Sequence, residues 1–331
     1  MNSSKIYPWQ QAIWQHLTSY LAQQRIPQAL LITGVAGVGK RHLAEVFASA
    51  VMCHTPLSDY SACGVCQSCT LLAAQTHPDW LAVEPEEPGK AIGIDKIRQL
   101  IVKLALKPQF ENQRVVLISP ADQLNNASAN AFLKCLEEPN TRTCLILVTE
   151  KPSHLPATIR SRCQAVVCSA PETSLAKQWL QQQGVTENGD VLLSLAQGSP
   201  LIAKQYAINN MLTIRQSYFD AWLQVAEAKK NLLQLAEQWQ KPDALDLNVL
   251  LAWMLGWVMD IIKLAHQADA EQLHNPDMKK TLQAVAKRLE LKALYAFYDS
   301  LLIAHSQLST SINKQLLLEQ LLISWSQLNT R

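Results

Sequence analysis

The fold of this chain is decided by residues 29–41, which read Ala-Leu-Leu-Ile-Thr-Gly-Val-Ala-Gly-Val-Gly-Lys-Arg. The short apolar run at the start predicts a buried strand that leads directly into a glycine-rich loop. That loop matches the phosphate-binding pattern G-x-x-x-x-G-K-[ST] at every position except the last. Gly34, Gly37 and Gly39 would let backbone N–H groups wrap around a phosphate, and Lys40 would reach its outer oxygens.

The residue types that hold Mg²⁺ are missing around this loop. Arg41 stands where a Ser or Thr hydroxyl would bind the cation, and a guanidinium cannot act as a metal ligand. The third predicted strand ends in Ser119-Pro120 rather than in carboxylates, and Asp122 comes too late in the chain to replace them. We therefore expect a degenerate P-loop that binds nucleotide weakly or not at all and does not support efficient hydrolysis.

Short apolar runs and helical patterns alternate through the first half of the chain. The runs that predict strands are residues 29–33, 80–83, 115–118, 144–148 and 165–167. The patterns that predict helices between them are residues 40–52, 95–106 and 127–138. Strands that alternate with helices form a parallel sheet covered on both faces. The first half is therefore predicted to be an α/β P-loop domain.

The second half of the chain contains few helix breakers. Of ten Gly and fifteen Pro, only Gly256, Pro242 and Pro276 lie beyond residue 200. Apolar residues there recur three and four positions apart, which predicts a helical bundle from about residue 208 to the end. The most apolar run, residues 247–265, is interrupted by polar residues and is expected to be a buried helix rather than a membrane span.

Composition limits the class of protein. The chain has 331 residues, 48% of them hydrophobic, and 29 basic side chains against 27 acidic ones. This balance excludes global disorder and argues against a dedicated nucleic-acid coat protein. The first nine residues lack the apolar core of a secretory signal, so we expect a soluble, cytoplasmic protein with no membrane partner.

Four cysteines fall within seventeen residues at C-x9-C-x2-C-x2-C spacing, namely Cys53, Cys63, Cys66 and Cys69. Four thiolates complete a tetrahedral Zn²⁺ site with no open position, which is typical of a structural metal. An iron–sulfur cluster is the alternative metal group, and His54 is the alternative ligand if Cys53 points away. The remaining four cysteines occur in apolar contexts and are expected to be buried thiols.

Two further stretches carry a resemblance to a known family. Residues 130–139 read Asn-Ala-Phe-Leu-Lys-Cys-Leu-Glu-Glu-Pro, and residues 159–163 read Ile-Arg-Ser-Arg-Cys. Together with the P-loop and the cysteine cluster, in this order, they resemble the clamp-loader family of AAA+ proteins. The resemblance implies a RecA-like AAA+ domain (residues 1–167) with a zinc-binding insertion at about residues 53–69. A small helical lid (168–207) and an all-α collar domain that joins subunits (208–331) would follow.

The resemblance also implies a function and a set of partners. Clamp loaders are five-subunit rings in which ATP-hydrolysing gamma or tau subunits work beside delta-type subunits. They load the sliding β clamp on primed DNA for DNA polymerase III, so nucleotidyl transfer itself belongs to another subunit of that holoenzyme. In this family the arginine at Arg162 reaches the ATP of a neighbouring subunit in trans. Arg41, Ser119-Pro120 and Leu201 all depart from the ATP-hydrolysing pattern, so we expect a non-hydrolysing subunit in the nucleoid-associated replication machinery.

Three other interpretations remain open from the sequence. The chain could be an ATP-hydrolysing motor subunit with an unusual P-loop, which Ser119 and Pro120 oppose. It could be a free-standing zinc-dependent nucleic-acid-binding module, although residues 53–69 contain no Lys or Arg. Arg162 could form a local salt bridge instead of acting across an interface. Lys134, Glu137 and Glu138 are expected to serve in capping and packing, and the turn His77-Pro-Asp79 is not expected to bind metal.

Overall fold

The computed structural model describes residues 5–87, 89–110, 113–138, 142–241, 243–267, 269, 273–308 and 312–328. Pro139, at the end of one family motif, lies outside these ranges. The chain divides into two compact units, Met1–Trp179 and Leu180–Arg331. The finer division into three domains, with boundaries after residues 167 and 207, stays a prediction.

The first unit is an α/β unit built on five strands. The strands are β1 (Ala29–Gly34), β2 (Trp80–Val83), β3 (Arg114–Ile118), β4 (Thr143–Thr149) and β5 (Gln164–Cys168). The helices are α1 (Gln11–Ala22), α2 (Lys40–Met52), α3 (Gln67–Ala73), α4 (Ile94–Ala105), α5 (Asn126–Glu137), α6 (Ala157–Arg160) and α7 (Thr173–Gln182), the last of which continues into the second unit.

All strand pairs in this sheet are parallel, in the order β2-β3-β4-β1-β5. Side chains alternate across the sheet because successive residues of a strand point to opposite faces. Leu30 and Ile32 pack in one core with α1 and α2, whereas Ala29 and Leu31 pack in the other with α4 and α5. The predicted parallel sheet with helices on both faces is confirmed.

The predicted strands occur within one or two residues of their expected bounds. One difference has a clear cause: β3 begins at Arg114, one residue before the predicted start at Val115. A charged residue is normally expected outside a buried strand. Here the Arg114 side chain is only 4% exposed because it forms an ion pair with buried Asp79.

The second unit is helical. Its helices are α8 (Gly189–Leu195), α9 (Pro200–Ile208), α10 (Met211–Ala226), α11 (Leu232–Trp239), α12 (Leu247–Ala265), α13 (Lys279–Ala286), α14 (Leu291–Gln307) and α15 (Lys314–Leu328). Their core includes Trp222 stacked on Trp325, with ring centroids 3.7 Å apart. Helix α12 is long and apolar enough to cross a membrane by length and composition alone. It is mostly buried, and the predicted buried helix is confirmed.

A charged cluster is buried within this helical core. The Asp260 carboxylate of α12 is fully buried and accepts hydrogen bonds from the backbone N–H groups of His274 and Asn275, at 2.9 and 2.7 Å. The Arg215 guanidinium of α10 is 1% exposed and donates to the Asn275 side chain at 3.0 Å and to the Asp277 carboxylate. The cluster thus ties the segment after α12 to two helices.

We expect Arg215→Met to lower the free energy of unfolding by roughly 3 kcal/mol, because it leaves buried acceptors without their cationic partner. Urea unfolding followed by circular dichroism measures the change. The exposed neighbour Gln216 provides the control, since Gln216→Ala should change stability by no more than about 0.5 kcal/mol. Equal midpoints for the two variants would show that the buried cluster contributes nothing net.

Candidate functional site

The P-loop leaves the carboxyl end of β1 and leads into the N-terminus of α2. Gly39 has a φ of +81°, and a Cβ there would lie 2.6 Å from the ring of Tyr7. A Cβ on Gly34 would lie 2.0 Å from the carbonyl oxygen of Cys168. Both positions therefore require glycine, in the first case for backbone conformation and in both for space. Gly34 ends β1, Lys40 begins α2, and Gly37 and Gly39 lie between them.

The two cations of this loop are engaged by the chain's own acceptors. Lys40 is 5% exposed, and its Nζ donates to the carbonyl of Val35 at 2.6 Å. The same nitrogen lies 3.5 Å from Glu150 Oε1. Arg41 forms ion pairs with Glu45 at 2.9 Å and with Glu84 at 2.5 Å. Three carboxylates thus lie beside the two cations that would otherwise be available to bind a phosphate.

The N-terminal segment covers one side of the loop. Trp9 Nε1 and the side-chain amide of Gln10 both donate to the carbonyl of Val38 at 2.9 Å. Tyr7 stacks on Trp9 with ring centroids 4.9 Å apart, and Trp179 packs edge-on against both rings. The sequence analysis did not identify this aromatic cover. The aromatic pair Tyr7 and Trp9, shortly before the first helix, is the only local signal for it.

The carboxylates near the ends of β3 and β4, Asp122 and Glu150, are bonded to other residues of the chain. Ser119 is buried and its backbone N–H donates to the carbonyl of Val83, so the residue after β3 takes part in the hydrogen bonding of the sheet. At the end of β4, the hydroxyl of Thr149 bonds Asp122 Oδ1 at 2.5 Å. The polar residue that follows β4 is thus paired with an internal carboxylate.

Arg162 lies between α6 and β5, at the sheet edge where the parallel strands begin. Its Nη2 lies 2.8 Å from Glu137 Oε1, and its Nη1 donates to the carbonyl of Thr158 at 3.0 Å. The side chains of Arg162 and Glu137 are 38% and 50% exposed. An exposed pair of this kind contributes about 0–1 kcal/mol, so the guanidinium can exchange this partner for another at little cost.

The four predicted cysteines come together in one cluster. Their sulfur atoms all lie within 4.8 Å of one another. The Sγ atoms of Cys53 and Cys66 are 3.9 Å apart, and those of Cys63 and Cys69 are 4.0 Å apart. Four thiolates at about 2.3 Å from one Zn²⁺ would lie about 3.8 Å from each other. The cluster therefore fits a tetrahedral metal ion, with Cys53 facing the other three as predicted.

Hydrogen bonds already favour thiolates in this cluster. The hydroxyl of Thr55 donates to Cys63 Sγ at 3.3 Å, and the Cys66 backbone N–H donates to the same sulfur at 3.3 Å. The Thr55 hydroxyl is the larger cause that lowers the pKa of Cys63 to about 6. Burial instead raises the pKa of Cys53 and of Cys69. A metal ion would bring all four sulfurs to the thiolate form.

Sequence reasoning missed the buried polar residues beside this cluster. Asp79 is 1% exposed and pairs with Arg114, and His77 bonds Ser68 of α3 at 3.0 Å. The sequence analysis read His77-Pro-Asp79 only as a turn before a strand. The available signal for this buried pair was that a charged residue lies next to each of two apolar strands. An acid and a base beside neighbouring strands can pair in the core.

Comparison with known proteins assigns the family. A family model described as "DNA polymerase III, delta subunit" matches residues 9–172, and one described as "DNA polymerase III, delta subunit, C terminal" matches residues 209–327. The DNA polymerase III subunit delta' of Pseudomonas aeruginosa is 36% identical, over 98% of both chains. The chain belongs to the delta-prime family of DNA polymerase III subunits. The Escherichia coli member is 31% identical, over 96% of this chain and 94% of its own.

The delta-prime assignment agrees with the clamp-loader resemblance of the sequence motifs. The tau subunit of Bacillus subtilis matches only 47% of this chain, at 33% identity. Among solved structures, a gamma subunit-related protein of Thermotoga maritima is similar over 96% of this chain and 99% of its own, with a TM-score of 0.46 and 18% identity. The comparisons do not favour the interpretation of the chain as a motor subunit.

In chain freed of metal by a chelator at pH 7, we expect iodoacetamide to modify Cys63 first. Its thiolate persists at every pH above about 6, whereas burial raises the pKa of Cys144 to about 12 and that of Cys168 to about 11. Peptide mapping over time measures the order. Thr55→Val should slow the labelling of Cys63 and Thr55→Ser should not, whereas equally fast labelling of Cys144 would contradict the assignment.

Proposed function

We propose that this chain is the non-hydrolysing stator of a clamp loader, the subunit beside which the ATP-hydrolysing subunits move. In this proposal it joins gamma or tau and delta subunits in a five-membered ring. The ring places the sliding β clamp on primed DNA, in the cytoplasm at the nucleoid. The observation that carries the proposal is that a delta-prime family member has Ser119 and Pro120 where magnesium-binding carboxylates would follow β3 and a buried Lys40 bonded to its own chain, while Arg162 is exposed.

The charges around the P-loop argue against nucleotide turnover. Glu150, Glu84 and Glu45 balance Lys40 and Arg41, so a polyphosphate would meet net repulsion unless these ion pairs were broken. The hydroxyl and carboxylates that would hold Mg²⁺ are replaced by Arg41, Ser119 and Pro120. A metal-bound nucleotide therefore lacks both its charge complement and its metal ligands here.

The purified chain with ATP and Mg²⁺ should release no phosphate above the background rate, and calorimetry should detect weak binding or none. Lys40→Ala serves as the matched control, because removing the P-loop lysine should leave both measurements unchanged. Turnover that Lys40→Ala abolishes would instead identify the chain as a motor subunit.

Arg162 is proposed as a catalytic residue that acts in trans on a neighbouring subunit's ATP. A guanidinium supplied in this way stabilises the charge that spreads over the transferred phosphoryl group. Arg162 is exposed and its pairing with Glu137 is weak, so its side chain is not held firmly against its own chain. Both observations support this role. In this proposal Glu137 keeps the guanidinium oriented until the neighbour's nucleotide replaces it.

We expect Arg162→Ala to fold and assemble but to slow ATP turnover at the adjacent site of the reconstituted complex. Such an arginine is worth about 10³–10⁵ in rate. Phosphate release under saturating ATP, with clamp and primed DNA present, measures the loss. Arg160→Ala, an exposed arginine two residues away, is the control and should retain wild-type turnover. If both variants keep full turnover, the trans-acting role is wrong.

The cysteine cluster is proposed to hold one structural Zn²⁺ through Cys53, Cys63, Cys66 and Cys69. All four positions of a tetrahedral ion would be filled by sulfur, which leaves no position for substrate or water. The ion would hold together a loop of few apolar contacts, since Cys63 and Cys66 are only partly buried. The free energy of metal binding would thus contribute to the folding free energy of residues 53–69.

Chain purified without chelators should contain one zinc ion per molecule by elemental analysis, and no iron. Cys66→Ser should remove most of the metal, because three sulfurs and a hydroxyl bind Zn²⁺ far less well than four thiolates. Cys135→Ser alters a buried cysteine outside the cluster and should leave the metal content unchanged. Iron in place of zinc would support the alternative cluster chemistry, and no metal at all would refute the site.

A further inference from the structure

His77 is a buried histidine that the proposed function does not use. It is 5% exposed and lies outside the four-cysteine cluster, in the turn that leads into β2. Its ring packs against Phe110 with centroids 4.9 Å apart, and Phe110 in turn packs near His54, the residue after Cys53. His77 therefore lies between the cysteine-containing insertion and the edge of the sheet.

The hydrogen bonds of His77 define which nitrogen carries the proton. Its Nδ1 accepts from the backbone N–H of Asp79 at 3.1 Å, so the proton of the neutral ring must be on Nε2. Nε2 lies 3.0 Å from the hydroxyl of Ser68, which is fully buried, and donates to it. Ser68 lies in α3, between Cys66 at the N-cap and Cys69 in the first turn.

Asp79, whose backbone N–H bonds His77, is itself held in place by hydrogen bonds to its carboxylate. Asp79 Oδ2 accepts from the backbone N–H groups of Gln109 and Phe110, each at 2.9 Å. Asp79 Oδ1 accepts from Arg114 Nε and Nη2 at 3.3 and 3.2 Å. Arg114 also donates to three carbonyls at and after the end of α4, those of Lys103, Leu106 and Lys107. His77 thus connects the cysteine-containing insertion to a well hydrogen-bonded part of the core.

We propose that His77 is the positioning residue of the four-cysteine site, holding α3 through Ser68 so that Cys66 and Cys69 stay in ligand geometry. The inference rests on the proposed metal site. His77 does not touch the metal; it acts through the helix that carries two of the four sulfurs. Groups hydrogen-bonded to the ligands themselves typically contribute 10–100-fold to metal affinity. His77 bonds a residue between two ligands, so we expect about the lower end of that range.

The test measures Zn²⁺ affinity of the full chain at pH 7 by competition with a chromophoric chelator. His77→Leu and Ser68→Ala should each weaken binding about tenfold, and the double variant should be no weaker than either single one, because both remove the same hydrogen bond. His77→Gln retains an N–H donor near the Nε2 position and should restore most of the affinity. His16→Ala removes an exposed imidazole of α1, outside the four-cysteine cluster, and should bind as wild type does.

The outcomes separate this inference from the zinc proposal. Wild-type chain that binds no Zn²⁺ refutes the metal site itself, and the inference with it. Wild-type binding together with unchanged affinity in Ser68→Ala overturns only the role of His77. Ser68→Ala decides the matter if His77→Leu fails to fold, since it removes one oxygen from a helix and leaves the core apolar packing intact. Additive losses in the double variant would also contradict a shared hydrogen bond.

Discussion

The buried ion pair between Arg114 and Asp79 is the interaction on which the sheet edge of the first unit depends. Both residues are under 5% exposed, so taking their charges out of water is costly unless every polar atom is paired. Asp79 receives two backbone N–H groups, and Arg114 reaches three carbonyls at and after the end of α4. The pair therefore joins the starts of β2 and β3 to α4 and, through His77, to the cysteine cluster.

The parallel sheet separates the P-loop of the first unit from Arg162 and the cysteine cluster. The P-loop lies where β1 ends, and the cysteine cluster and Arg162 lie near the opposite edge, where β2 and β5 begin. Nucleotide sites of α/β sheets lie at the carboxyl ends of the strands. In this chain Lys40 at that end of the strands is buried and bonded to Val35, and Ser119 and Pro120 follow β3 in place of carboxylates, whereas Arg162 lies exposed where the strands begin. This asymmetry is what the proposed stator would need, because it receives no nucleotide of its own and serves that of a neighbour.

Much of the fold could be predicted because its signals are local. Apolar runs of three to five residues, alternating with helical patterns, predicted the strands and the parallel sheet. The scarcity of Gly and Pro predicted the helical second unit. The cysteine cluster was also readable, since the C-x2-C spacing brings thiolates together whatever surrounds them. The predicted strand began at Val115 and left Arg114 out, because a charged residue enters a core only when a distant partner neutralises it. The one sign in the sequence is that Asp79 stands beside another apolar run, and spacing along the chain does not show that the two residues pair.

The sequence by itself determined the type of each element, the P-loop with its missing magnesium ligands, the four candidate sulfur ligands and the motif that contains Arg162. These depend on spacing along the chain and on the chemistry of single side chains. Only the tertiary structure decided which charges meet: Lys40 with Glu150, Arg41 with Glu84, Asp79 with Arg114, and Arg162 with Glu137. Three of these pairs join residues more than thirty positions apart, and ion pairing depends on separation in space, which the chain's path through the sheet determines.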